Sequence, residues 1–320
     1  AVAGVSGAGK STLVADTIVP LLENRMRGPH GEAGASPEKL DVVFADQSPL
    51  GRTTRGNPAS YVGAFPAIRR WFGRQPATVA AGFTDADFSF NAGKGRCPYC
   101  EGAGYEHVEM QFLSDVYLPC PVCNGRHYRD EILALRFPMA DGAVRSIADV
   151  LDLTVEHALA AFAGERTVTD PLQVLVDVGL GYLTLGQPLT TLSGGERQRL
   201  KLAERISRES PLSAKLHPAL FVFDEPTTGL HFADIERLVR VFDQLIARGH
   251  SVLVIEHNLD VIGAADWVLE LGPEGGAAGG RLVFEGTPEV MSQAGTLTGR
   301  ALAAWRLAQA GDPSRAEFFS

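Results

Sequence analysis

An α/β fold on a mostly parallel sheet, interrupted by a small cysteine-bearing module, is the architecture this sequence predicts, and three stretches predict it. Residues 1–12 read AVAGVSGAGKST, a stub of apolar strand feeding a glycine-rich loop and then a helical run. Leu220-Phe221-Val222-Phe223 and Ser251-Val252-Leu253-Val254-Ile255 are short apolar runs that end in charged residues, the pattern of parallel strands covered on both faces. Between the glycine-rich loop and the first of these runs lie Cys97-Pro98-Tyr99-Cys100 and then Cys120-Pro121-Val122-Cys123, a C-x2-C-x19-C-x2-C spacing.

With 320 residues the chain has material for one large domain or two ordinary ones. A net charge of −9 gives no general attraction to nucleic acid, so any such contact must come from a local patch. No signal-peptide pattern and no apolar run of bilayer length are present, so a cytoplasmic place without membrane contact is expected. In a reducing compartment, four cysteines in two close pairs point to metal rather than disulfides.

The opening loop fits G-x-x-x-x-G-K-[ST] with Gly4, Gly9, Lys10 and Ser11. Glycines there let backbone N–H groups wrap phosphates, so Gly4, Ser6, Gly7, Gly9, Lys10, Ser11 and Thr12 are expected to cradle ATP, with Lys10 at the β and γ phosphates and Ser11 on Mg2+. Residues 24–37, rich in Gly, Pro and charge, read as a loop. Asp41-Val42-Val43-Phe44-Ala45 reads as a buried strand delivering Asp46-Gln47.

From Gln47 to Thr84 there is no Asp or Glu, while Arg52, Arg55, Arg69, Arg70 and Arg74 interleave with Tyr61, Phe65, Trp71 and Phe72. Two readings stand: arginines on DNA phosphates with the aromatics packed locally, or a solvated basic helix face with an apolar stripe. The cysteine quartet is the stronger signal, since four thiolates in two knuckles satisfy tetrahedral Zn2+. CPYCEGAGY and CPVCNGRHY also echo one another, which implies two similar half-sites. Val108, Met110, Phe112 and Val116 suggest a β-hairpin between the knuckles, and His107 and His127 are read as non-ligands because four cysteines fill the shell. Lys94 and Arg96 join the candidate DNA contacts, although residues 91–131 hold six carboxylates against four cations.

Residues 138–190 read as helices broken at Pro138, Pro171 and Pro188, with Leu151, Val155, Leu159 and Phe162 on one amphipathic face. In Leu192-Ser193-Gly194-Gly195-Glu196, Ser193 is a natural N-cap, Glu196 completes a capping box, and the paired glycines aim a helix N-terminus at an anion. The strand Leu220–Phe223 ends in Asp224-Glu225, where Asp224 can hold Mg2+ and Glu225 can polarise an attacking water. After the strand that ends at Ile255 come Glu256-His257-Asn258, and Leu269 to Gly276 read as strand and glycine-rich loop. Beyond Gln293 the tail is helical.

LSGGERQRLKLA followed by FDEPTTGLH resembles the signature and Walker B pair of ABC-type ATPases, and the TTGLH ending, with QSPLGRTTRGNPASYVGAF, resembles the UvrA family, the damage-recognition ATPases of nucleotide excision repair, and its paralogues. The resemblance covers almost the whole chain and corresponds to the C-terminal half of that family. It implies an ABC-type P-loop ATPase core with an inserted helical signature subdomain and a small four-cysteine zinc module. It further implies that Gln47 senses Mg2+ and γ-phosphate, that residues 227–231 are the loop through which composite sites communicate, and that His257 bonds the γ-phosphate. Ser193, Gly194 and Gly195 would complete the site of a second ABC half, in a missing N-terminal half or a second subunit. A homodimer of the intact chain, duplex DNA bearing damage and a UvrB-like repair partner follow from the same resemblance. No nuclease activity is expected.

The expected boundaries are 1–84 for the first part of the core, 85–137 for the zinc insertion, 138–190 for the helical subdomain and 191–320 for the second part of the core. Arg197, Thr54 and Gly56 stand where repair-type members carry Ala, Pro and Ser, which favours the alternative of a paralogue for self-resistance to DNA-intercalating drugs. A cytosolic ABC ATPase driving a membrane partner is a third reading, against which the cysteine quartet speaks.

Overall fold

A computed structural model describes residues 1–26, 41–45, 55–108, 116–208 and 218–309. Gln47, Arg52, Thr54, Met110 and Phe112 lie outside the described residues. Ten strands are described: β1 Val2–Gly4, β2 Asp41–Ala45, β3 Tyr105–Val108, β4 Val116–Pro119, β5 Phe137–Pro138, β6 Val144–Arg145, β7 Ala219–Asp224, β8 Ser251–Ile255, β9 Val268–Gly272 and β10 Arg281–Gly286. The described residues fall into two compact units, one within Ala1–Gln47 and Pro211–Ser320, the other within Ser48–Ser210.

The first unit is built on one six-stranded sheet of order β10-β9-β1-β8-β7-β2. All of its ladders are parallel except β10 on β9. Parallel neighbours need crossovers, and the helices Phe232–Ala247 and Leu259–Gly263 supply those between β7 and β8 and between β8 and β9. Alternation along β1 sends Val2 to one face, with Val14, Val222, Ile255 and Leu271, and Ala3 to the other, with Ile262, Val268, Met291 and Leu302. Both faces are thereby covered, which is why β7 carries hardly any polar residue before Asp224.

Two strands differ from the sequence expectation. β2 is half-buried rather than buried, because it pairs with β7 alone and forms an edge among the described strands. In β8 only Val254 and Ile255 are buried, and the strand starts exposed at Ser251. The helix Val19–Met26 also runs on into the stretch read as a loop from Asn24.

The second unit is helical around an aromatic core. Phe65 meets Phe90 with ring centroids 4.9 Å apart, Phe72 meets Phe88 at 5.3 Å, and Trp71 meets Phe162 edge-on at 5.6 Å. The aromatics of the basic stretch therefore pack across the unit, not locally, and draw the helix Ala64–Gly73 into it. The stripe from Leu151 to Phe162 belongs to two helices, Ile147–Leu151 and Val155–Ala161, because Thr154 caps the second by accepting the His157 amide. Leu159 is only half-buried. Pro171 does not break its helix: Arg166–Asp177 runs through it, since burial of Val168, Leu172 and Leu175 outweighs the lost backbone bond. That helix packs against Ala64–Gly73 and against Gly194–Arg208. Residues 55–84 and the helix Gly194–Arg208 thus belong to the second unit.

Candidate functional site

At the C-terminal edge of the sheet, β1 ends in Gly4, whose φ of +129° and close approach to Leu271 exclude any side chain: a Cβ would lie 2.0 Å from the Leu271 carbonyl oxygen. Gly7 and Gly9 turn the loop with φ of +77° and +87°. Lys10 then opens a helix, buried to 7% exposure, and its Nζ donates to the carbonyls of Gly4 and Val5 at 3.0 Å each. The ammonium is thereby held over the loop, while Ser6, Gly7, Gly9, Ser11 and Thr12 stay exposed around it.

β7 delivers Asp224 to the same edge. The Ser11 hydroxyl donates to Asp224 Oδ1 at 3.1 Å across 213 residues of sequence, so the two oxygens expected to share one cation are adjacent. Glu225 follows with φ of +49°, a left-handed conformation that is uncommon for a residue with a side chain, and its amide donates to the Ile255 carbonyl at 2.9 Å. This turn aims the carboxylate away from the strand, toward His257, whose Nδ1 lies 3.8 Å from Glu225 Oε1. Lys10, Ser11, Asp224, Glu225 and His257 therefore stand at or just beyond the C-terminal ends of β1, β7 and β8, three neighbouring parallel strands.

In the other unit, Ser193 and Glu196 form the expected capping box. The Ser193 amide donates to Glu196 Oε2 at 2.6 Å and the Glu196 amide to Ser193 Oγ at 3.3 Å. Two further groups tighten it: the Tyr182 hydroxyl, from outside the motif, donates to Glu196 Oε1 at 2.6 Å, and Arg197 Nη1 donates to the Leu192 carbonyl at 2.7 Å. Burial raises the Glu196 pKa, but the bonds from Tyr182 and Ser193 outweigh it and the net shift is downward; Tyr182 is pushed up to about 12 by burial and that carboxylate.

The four cysteines converge. Their sulfurs all lie within 4.8 Å of one another, with Cys97 to Cys120 at 4.0 Å and Cys100 to Cys123 at 3.7 Å. Tetrahedral Zn2+ with Zn–S bonds of about 2.3 Å requires sulfur separations of about 3.8 Å, so the quartet fits that ion. None of the four forms a disulfide. The internal echo is conformational as well: Glu101 and Gly102 have φ of +50° and +85°, Asn124 and Gly125 +49° and +83°, and Gly104 and His127 +80° and +69°. His127 is held by backbone partners. Its Nδ1 pairs with the Gly102 carbonyl at 3.0 Å, its own carbonyl accepts the Cys97 amide at 2.8 Å, and burial lowers its pKa. β3 and β4 form the hairpin between the knuckles.

The candidate DNA contacts do not share one environment. Arg70 and Lys94 are exposed, Arg55, Arg69 and Arg96 half-buried. Arg69 lies over the Phe65 ring at 5.9 Å from its centroid. Arg74 is ion-paired with Glu165, a carboxylate from far outside the acid-free stretch. Sequence reasoning also missed Glu256 and Gly275, the first because it reads as a polar strand end, the second because nothing local says what its loop touches.

No protein-family model matches the chain. It is 50% identical over 307 residues to UvrABC system protein A of Methanothermobacter thermautotrophicus, covering 94% of this chain and 31% of that protein. To the Thermus thermophilus protein of the same name it is 48% identical over 310 residues, covering 95% of this chain and 31% of the relative. The crystal structure of UvrA2 from Deinococcus radiodurans superposes with a TM-score of 0.80 at 44% identity, over 95% of this chain and 36% of that one. The chain spans about a third of the length of the curated relatives it matches. In sequence over nearly all its length, and in fold, the chain matches a segment of UvrA-family proteins.

Proposed function

We propose that this segment is an ATP-binding and hydrolysing half of a damage-recognition subunit in nucleotide excision repair, in which ATP turnover controls the grip on damaged duplex DNA. The Ser11 to Asp224 contact carries the reading, because it joins the phosphate loop to the acidic strand end at the place where Mg2+-ATP needs both. Lys10 would meet the β and γ phosphates, Ser11 and Asp224 would hold Mg2+ with Gln47, Glu225 would orient and polarise the water, and His257 would bond the γ-phosphate. Bound Mg2+ supplies neutralisation of phosphate charge.

Ser193, Gly194 and Gly195, at the N-terminus of the helix Gly194–Arg208, would present amides to the nucleotide of a second ABC half, and that half would reciprocate. Cys97, Cys100, Cys120 and Cys123 would hold a structural Zn2+ that replaces the core this small module lacks. Dimerisation of the intact chain, handover to a UvrB-like partner and a cytoplasmic place belong to the same reading. Among the described residues no helix is long and apolar enough to cross a membrane. For DNA, Arg70 and Lys94 are the best-placed of the candidate cations, and Arg74 the least, given its pairing with Glu165.

The test uses the intact parent protein and its Glu225→Gln variant. The variant is expected to bind ATP within about twofold of the parent, to lose on the order of a hundredfold or more in turnover, and to keep hold of a lesion-bearing duplex in ATP. Unchanged turnover would reject Glu225 as the catalytic carboxylate. ATP-dependent DNA binding with no lesion preference would favour the drug-resistance paralogue, to which Arg197, Thr54 and Gly56 point.

A further inference from the structure

Glu256 is fully buried at the end of β8, one residue before His257. A buried carboxylate is costly unless both oxygens find donors. Here both do. Oε1 accepts the Thr227 amide at 3.0 Å and the Thr227 hydroxyl at 2.5 Å, while Oε2 accepts the amides of His257 at 2.8 Å and Asn258 at 2.9 Å. The two oxygens therefore hold two different turns: one follows Asp224 and Glu225, the other carries His257. The Glu256 amide in turn donates to the Val2 carbonyl at 3.0 Å, which ties the residue to the strand that feeds the phosphate loop.

We infer that Glu256 is a positioning residue that locks the turn after Glu225 to the turn of His257, so that these two side chains keep their facing geometry and move together. The inference rests on the reading of Glu225 and His257 as the hydrolytic pair. Thr227 is itself buried, but its successors Thr228 and Gly229, and then His231 and Phe232, are exposed. A contact made by a second ABC half on that exposed stretch would displace Thr227. The carboxylate would pass the displacement to the His257 amide, and a local docking event would become a change in hydrolytic geometry. Oxygen acceptors alone do this: a carboxylate offers two acceptor atoms to four donors, whereas an amide at the same place would turn an NH2 toward one pair of them.

The experiment measures ATP affinity and steady-state turnover of the intact parent protein carrying Thr227→Val, His257→Ala, both together, or Glu256→Gln. Thr227→Val keeps the shape and the amide bond and loses only the hydroxyl bond. It is expected to leave ATP affinity within about twofold, to lower kcat about fivefold to tenfold, and to lower it less than about twofold further when His257 is already Ala. Glu256→Gln is expected to exceed Thr227→Val in the same direction; if it fails to fold, the threonine cycle carries the test alone. Equal losses from Thr227→Val with and without His257, or an unchanged kcat in Thr227→Val, overturn the link while leaving the hydrolytic pair standing. Unchanged turnover in His257→Ala overturns both, and so is told apart from failure of the link.

Discussion

Glu196 shows how much one side chain can be asked to hold. Its carboxylate accepts the Ser193 amide on one oxygen and the Tyr182 hydroxyl on the other, at 2.6 Å each, so the helix N-terminus proposed to face a nucleotide is fixed from two sides. Burial acts to raise its pKa, but those bonds dominate and hold the folded-state value below the ordinary 4.5. A depressed carboxylate contributes stability that is present above its unfolded value and is lost as pH falls through the folded one. Amide protection along the helix Gly194–Arg208, taken relative to the intrinsic exchange rate at each pH, is therefore expected to fall as pH drops below 4.5. Tyr182→Phe should move that loss to higher pH and weaken the cap at neutral pH by about 0.5 kcal/mol, the low end for a hydrogen bond because Tyr182 is half-exposed. An exchange profile identical in the variant would show that the hydroxyl adds nothing to the cap.

At the scale of elements, the loop between β9 and β10 is a support for the phosphate loop. The Gly276 amide donates to the Gly7 carbonyl at 3.1 Å and the Gly280 amide to the Ala8 carbonyl at 3.2 Å. Gly275 has no room for a side chain, since a Cβ would sit 2.7 Å from the Ser6 carbonyl oxygen, a backbone atom that cannot step aside alone. Gly275→Ala is expected to weaken ATP binding about tenfold through displacement of Ser6 and Gly7, with kcat at saturating ATP changed less. Titration with a fluorescent ATP analogue measures it, and an affinity equal to the parent's would mean the loop yields freely. The cysteine knuckles are the opposite kind of element, small and specified from within: their matched positive φ angles at Glu101 and Asn124 repeat one backbone design twice.

For the whole molecule, the consequence of two compact units with separate cores is separate response to damage. Chelation would remove the ion proposed for the quartet in the unit within Ser48–Ser210, and Cys100→Ser one of its ligands. Either should lower the thermal transition of that unit and expose residues 97–128 to proteolysis. The unit bearing Lys10, Ser11 and Asp224 should keep its ATP affinity within about twofold. Zinc content by metal analysis, limited proteolysis and nucleotide titration on the same sample check the three parts. Full zinc occupancy in Cys100→Ser would rule out the ligand set.

Short-range spacing is what made this protein legible. Gly4, Gly9, Lys10 and Ser11 sit in one loop, each cysteine pair in one knuckle, Asp224 and Glu225 at the end of one apolar strand, and Ser193 and Glu196 in one helical turn. In each case the geometry needed lies within a few residues of chain, so the sequence alone specifies it. Tertiary structure decided everything that depends on a partner far away along the chain. It gave Arg74 the carboxylate of Glu165, turned the aromatic stripe of the basic stretch inward, carried a helix through Pro171, set Gly275 against Ser6, and brought Thr227 under Glu256. None of these partners lies at a spacing that a strand or helix period can reveal, because it is the crossovers of the sheet and the packing of the helices that bring them together.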